Sequence, residues 1–352
     1  MAFGNHQQSA SYRVATLASA PAAFAAAAAA AAALALIAAP ASAQEVVMKF
    51  ATQTINDMQH EYMKMYKPEL EKATNNRIKV EIYPASQLGG AQRQVEGLRL
   101  GTIEAAIGPS ELFFGADPRF QVLALAGLFK NNEHARKALD VPAFRKAITD
   151  FTDPRGLVTI GLSVYDQQVF TFKTPVTKLA DFSGKRTRVL ASEGEQASVV
   201  ALGGSAVPMS LPEVLPAVQQ GTIDGANSVI GAFVAFRYYD AAPHLLDTAL
   251  WALMPVALVS KAWFARLSPD LQKAVVDTGR KIEPEIHKWQ IQRIADDRKT
   301  WTEKGGKIAQ LPANEQEEAA KRVAAAVQAV LAKNPSSKEL YDKLKAAADT
   351  VN

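Results

Sequence analysis

The sequence contains no cysteine. Disulfides, thiolate metal sites, iron–sulfur clusters and cysteine nucleophiles are therefore excluded. Histidine is scarce and scattered, at His6, His60, His134, His244 and His287, which offers no histidine-rich metal site. An excess of one charge is missing too. Against 39 Lys+Arg stand 35 Asp+Glu over 352 residues, and a net +4 is too small for a nucleic-acid or membrane-surface protein. Also lacking are G-x-G-x-x-G, a Walker P-loop, H-E-x-x-H and G-x-S-x-G. His60-Glu61 has no second His at Met63, Lys64 or Met65, so no zinc helix forms there. Asp153, Asp224 and Asp240 are too separated to argue a paired-carboxylate site. No catalytic constellation, no cofactor site and no metal site is expected.

Charge is absent altogether from Val14 to Gln44. Residues 1–43 hold 21 alanines, a single cation (Arg13) and no acid. The stretch from Ala22 to Ala39 is apolar and ends in Pro40-Ala41-Ser42-Ala43. Small residues at Ala41 and Ala43 behind an apolar core are the pattern of a secretory signal peptide, cleaved here after Ala43. A retained membrane anchor is the competing reading, since roughly 18 apolar residues just span a bilayer. A low-complexity cytosolic tail is a third. Alanine is a weak membrane former, and Pro40 before Ala-Ser-Ala suits a signal peptidase, so export is expected. The remaining 309 residues carry 38 cations and 35 anions and no second apolar run long enough to cross a bilayer. A chain of that length buries roughly 75% of its unfolded surface and needs no disulfide.

Strand-like and helix-like segments alternate along this remainder, which points to the α/β class. Val46 to Thr52 opens as a strand. Gln59 to Ala73 reads as a helix with Tyr62, Met65, Tyr66 and Leu70 on one face, bent at Pro68. Arg77 to Tyr83 alternates, with Ile78, Val80 and Ile82 on one side, and reads as a half-buried strand. Two stretches echo each other: Ala91 to Leu100 followed by Gly101-Thr-Ile-Glu-Ala-Ala106, and Leu211 to Gln220 followed by Gly221-Thr-Ile-Asp-Gly-Ala226. Each is a helix closed by Gly at C′ and then a strand entry. Coincidence is one account; a duplicated half-domain, giving two lobes with a cleft between them, is the other. Ser268-Pro269-Asp270 starts a helix that runs towards Gly305-Gly306, kinked or restarted at Pro284. Helices near 315–332 and 338–348 finish the chain. Arg188, on a short strand over Arg186 to Val189, is either a surface ion-pair residue or a guanidinium able to grip a carboxylate through two parallel hydrogen bonds.

The runs Tyr83-Pro-Ala-Ser-Gln-Leu-Gly89, Leu98-Arg-Leu-Gly-Thr-Ile-Glu104, Gly184-Lys-Arg-Thr-Arg-Val189, Gly204-Ser-Ala-Val-Pro-Met209, Pro212-Glu-Val214, Gln220-Gly-Thr-Ile-Asp-Gly225 and Leu267-Ser-Pro-Asp-Leu-Gln-Lys273 agree in order and spacing with one family. From about residue 48 to 310 the chain resembles the DctP-type solute receptors of tripartite ATP-independent periplasmic (TRAP) transporters. The resemblance implies a two-lobed α/β periplasmic binding protein fold, type II-like, with strands crossing twice between lobes and a long kinked helix bridging them. Lobe I would comprise 44–165 plus 254–293, and lobe II 166–253 plus 294–352.

The same resemblance places the family's substrate-binding arginine on Arg188. A second arginine of many members aligns with Gln168, which implies one ligand carboxylate rather than two. The family's ligand-binding Asn aligns with Ser228, with Asn227 beside it able to serve. Ser110 matches the lobe I loop that meets the ligand, and Leu211 the apolar pocket wall. What is implied is a monomeric periplasmic receptor for a small organic anion, a monocarboxylate such as a 2-oxo, hydroxy or aromatic acid. The receptor would deliver that anion to TRAP membrane permease subunits. A sensor-linked receptor and a C4-dicarboxylate receptor are the alternatives on the same fold.

Overall fold

Alternation of buried and exposed residues begins at the first strand of the computed structural model, which describes residues 46–351. The expected leader and its cleavage point after Ala43 lie outside the described residues. Strand β1 (Val46–Ala51) leads to helix α1 (Met58–Ala73) and strand β2 (Ile78–Tyr83). Asp57 caps α1 by accepting from the His60 N–H at 3.1 Å. The helix runs unbroken past Pro68 and buries Tyr62, Met63, Tyr66 and Leu70; Met65, expected on that face, is only half-buried. In β2, Ile78 and Val80 are buried while Glu81 is exposed, as the alternation requires.

Helix α2 (Ala91–Leu100) and strand β3 (Ala105–Pro109) follow, then 3-10 segments over Ser110–Gly115 and Pro118–Ala124. Next come α3 (Asn132–Leu139), α4 (Pro142–Thr152) and β4 (Leu157–Leu162). The middle of the chain runs β5 (Asp166–Phe172), β6 (Arg186–Val189), α5 (Glu193–Ala201), β7 (Ser205–Pro208), α6 (Leu211–Gln220), β8 (Gly225–Ser228), α7 (Ile230–Ala235) and β9 (His244–Leu253). It closes with β10 (Pro255–Ser260), α8 (Lys261–Phe264), α9 (Pro269–Glu303), β11 (Lys307–Gln310), α10 (Ala313–Lys333) and α11 (Pro335–Ala348).

The strands form two sheets, ordered β2-β1-β3-β10-β4 and β11-β9-β5-β8-β6-β7. Each holds the same core arrangement. In the first, β1 pairs in parallel with β2 and β3, and β3 pairs antiparallel with β10. In the second, β6 pairs in parallel with β7 and β8, and β8 pairs antiparallel with β5. The two echoing stretches are equivalent elements of these sheets. Gly101 and Gly221 close their helices at φ 73° and 74°, each cap N–H reaching back into the last turn. The Thr102 and Thr222 N–H groups both bond at 2.9 Å to the fifth residue back, Gly97 and Ala217.

The antiparallel strands arrive from the opposite sheet. Between β4 and β5 the chain crosses at residues 163–165, and between β9 and β10 it crosses back at Met254. The crossings are paired: Ser163 N–H donates to Pro255 O and Tyr165 N–H to Leu253 O, both at 3.0 Å. Helix α9, 35 residues and so about 52 Å long, is the third link. It packs on α1 and β4 at one end and on α7 and β11 at the other. It continues through Pro284 rather than restarting there. Helix α10 lies on α5, whereas α11 turns back onto α3, α4 and Pro118–Ala124. No helix of the described residues is long and apolar enough to cross a membrane.

Helix α9 approaches β4 closely enough that a Cβ at Gly279 would lie 1.8 Å from the Ile160 carbonyl oxygen. Backbone cannot yield as a side-chain tip can, so the helix must shift. We expect Gly279→Ala to lower stability by about 2–3 kcal/mol despite alanine's better helix propensity, measured by urea unfolding. A wild-type midpoint would contradict this contact.

Candidate functional site

Strand β6 carries two arginines, two residues apart and so on the same face, whose fates differ because Arg186 stands at the exposed start of the strand and Arg188 in its buried part. Arg186 is exposed at the strand's start and pairs with Asp224. Arg188 is 3% exposed. Its Nε donates to the Met209 carbonyl at 3.0 Å and its Nη1 to the Asn227 carbonyl at 3.2 Å. Burial pulls the guanidinium's pKa down, while the Glu195, Tyr238 and Glu111 side chains act the other way.

Arg188 lines a small cavity of ≈ 20 Å³. Both sheets contribute walls. Gln53 and Thr54 come from the loop after β1, Pro109 from the end of β3, and Gln59 from the first turn of α1. Tyr165 and Leu253 come from the two crossings, and Leu190, Leu211, Ser228, Val229 and Ala232 from the second sheet's side. The Gln53 amide nitrogen is buried and has no hydrogen-bond partner in the protein. Tyr165 donates its hydroxyl to Asp57 at 3.0 Å. The cavity therefore combines a cation, an unpaired amide donor and a serine hydroxyl with an apolar wall.

Of the six residues singled out by sequence, Arg188, Ser228 and Leu211 line this cavity. Gln168, Asn227 and Ser110 are at most 1% exposed and stand outside its lining, in a buried polar network. Asn227 Nδ2 donates to the Val169 carbonyl at 3.2 Å. The Gln168 amide satisfies three neighbours in one orientation: nitrogen donating to Asn227 Oδ1 and, at 3.3 Å, to Glu195 Oε1, and oxygen accepting from Trp251 Nε1 at 3.0 Å. The opposite orientation sets the nitrogen 3.3 Å from Glu111 Oε1 and leaves Trp251 without its acceptor.

Sequence reasoning missed the two carboxylates of this network. Glu111 is 2% exposed and Glu195 4%. Ser110 Oγ donates to Glu111 at 3.2 Å, and the Leu190 N–H donates to Glu195 at 2.7 Å. Both carboxyls are held above the usual carboxylate range, first by burial. Glu195 is raised further by the charge of Glu111, and Arg188 opposes the rise in both. Glu195 had a sequence signal, but a misleading one. Ser192-Glu-Gly-Glu195 has capping-box spacing, and Ser192 does accept from the Glu195 N–H at 3.2 Å. The Glu195 carboxylate turns away from Ser192 to the Leu190 N–H and the network instead.

Comparison with known proteins agrees with this architecture. The DctP family model, bacterial extracellular solute-binding protein, family 7, matches residues 50–334. The 2,3-diketo-L-gulonate-binding periplasmic protein YiaO of Escherichia coli K12 is 27% identical over 242 residues, 68% of this chain and 72% of that protein. A solved TRAP periplasmic solute-binding protein from Xanthobacter autotrophicus Py2, with bound β-D-galacturonate, is 25% identical. It superposes at TM-score 0.78 over 85% of this chain and 99% of that one. Another from Desulfovibrio salexigens, with bound orotic acid, superposes at TM-score 0.81 over 86% and 100% of the two chains. At 22% identity that second likeness speaks to the fold alone.

The buried carboxyls make stability depend on pH with a definite sign. A carboxyl whose folded pKa lies above its unfolded value holds protons more tightly when folded, so its contribution fades as pH rises through the folded value. We expect Glu195→Gln to gain stability relative to wild type as pH is raised from about 5 to about 8, followed by thermal denaturation. A difference that stays constant over this interval would contradict the assignment.

Proposed function

This chain belongs to the DctP family of TRAP solute-binding proteins, and we propose that it captures a small organic acid bearing one carboxylate. Capture would occur in the periplasm by closure of two lobes, followed by delivery to an ion-gradient-driven membrane permease. The observation that carries the reading is the solitary arginine at a cavity walled from both sheets. A carboxylate leaving water loses several kcal/mol of solvation unless a matched, hydrogen-bonded cation replaces it. Arg188 supplies that cation. Gln168, where a second arginine would sit, is neutral and engaged by Trp251 and Asn227. The unpaired Gln53 amide and the Ser228 hydroxyl suit a second polar group, such as a 2-oxo or hydroxyl oxygen. Leu211, Leu190, Val229 and Ala232 suit an apolar remainder.

The lobes we propose are 44–165 with 254–293 and 166–253 with 294–352, hinged at the paired crossings, with α11 at the end of the second reaching back onto α3 and α4 of the first. The ligand stabilises closure only through contacts made when the lobes meet. One hydrogen bond already joins elements of the two sheets away from the cavity lining. Gln121 Oε1, in the 3-10 segment behind β3, accepts from the Gly194 N–H of α5 at 2.9 Å.

The test is a melting-shift panel of galacturonate, gulonate, orotate, pyruvate, lactate, benzoate and succinate. A binding acid at about 100 times its Kd should add about 2.7 kcal/mol, and Arg188→Gln should abolish that gain. Undiminished binding by the variant would overturn the site. A preference for succinate would overturn the single-carboxylate reading in favour of a dicarboxylate receptor.

A further inference from the structure

Three buried ionisable side chains, one in the cavity wall and two behind it, lie near enough to act on one another's charge, and they do not balance. Glu111 comes from the turn after β3, in the first sheet's layer, while Arg188 on β6 and Glu195 on α5 belong to the second. Fully ionised, the set carries two negative charges against one positive. A carboxylate bound at Arg188 would make it three against one, in surroundings too dry to screen them.

The geometry of Gln168 points to where this is relieved. With its nitrogen towards Asn227 and Glu195 and its oxygen on Trp251, the atom 3.3 Å from Glu111 Oε1 is the amide oxygen. Set against that oxygen, the Glu111 carboxyl has an acceptor ready for a proton, so that its protonated form can donate to the amide where its ionised form finds no donor.

We propose that closure on an anion at Arg188 takes up a proton from solvent at the Glu111–Glu195 pair, so that the receptor captures its acid together with a proton. This rests on the reading of the chain as an acid receptor. The upward shift of both carboxyls agrees with it. The surroundings offer little to replace the proton. Tyr238, facing Arg188, is pushed up to about 12 by burial and stays neutral. In the 3-10 segment packed on α5, Arg119 is engaged by Asp117. Glu96 and Arg99 of α2 and Glu213 of α6 line the outer chamber that Glu111 borders, adding more acid than base there. Glu111 and Glu195 thus act as specificity-determining residues. They tax each additional ligand charge, and so select for a single carboxylate.

Isothermal titration of the exported protein with the acid giving the largest shift in the panel above tests this. Runs in phosphate and in Tris, whose ionisation heats differ, report protons taken up per ligand bound. Uptake approaching about one proton is expected near neutral pH, with Kd weakening by up to about tenfold per pH unit above it. Glu111→Gln and Glu195→Gln should each still bind and each reduce the uptake, which a merely structural loss would not do. Wild-type binding without proton uptake overturns the inference and leaves the receptor reading intact. Failure of every acid to bind overturns the receptor reading, and this inference with it.

Discussion

Two short crossings carry the chain from one sheet to the other and back, and they are hydrogen-bonded to each other at both ends. Ser163 to Pro255 and Tyr165 to Leu253 are buried backbone pairs, and leaving such groups unpaired would cost about 1–3 kcal/mol each. Any rotation of one sheet against the other must therefore turn about these segments rather than part them. The cavity lies against them, with Tyr165 and Leu253 in its wall. Ser110 is tied to the same place through its N–H on the Met254 carbonyl at 2.9 Å. Loops remote in sequence thus converge on one point because the chain passes through it twice.

That convergence creates the electrostatic problem as well as the site. Arg188 is held by two main-chain carbonyls rather than by a carboxylate, which positions its charge without cancelling it. Behind it, Gln168, Asn227 and Trp251 form a neutral amide and indole relay, anchored on Glu195 and the Val169 carbonyl. A network of this kind costs little when complete and a great deal when one member is missing. Gln168 is accordingly better understood as support for the site than as a contact to its ligand. Asn227 and Ser110 likewise stand outside this cavity's lining, in the network behind it.

Local pattern made much of the architecture legible. The 2-residue and 3.6-residue periods located β1, β2, α1 and the terminal helices. The Gly-Thr-Ile repeat after Gln220 and Leu100 located equivalent helix–strand units in two sheets. Short motifs that agree in order and spacing carried the resemblance to the family. What escaped notice was the stretch of α3 and α4, and the burial of Met63 in place of Met65, which depends on how α1 meets α9.

By itself, then, the sequence determined the α/β class, the twofold echo and the arginine worth watching, because each is written in residues close together in the chain. Only the tertiary structure decided that Glu111 and Glu195 are buried beside that arginine. An isolated glutamate in a turn and another at a helix start look solvated, and nothing local distinguishes them from the 33 other acids of the chain. The side chain they share, Gln168, lies on a strand tens of residues away, and burial, which raises a carboxyl's hold on its proton, is a property of the packed molecule.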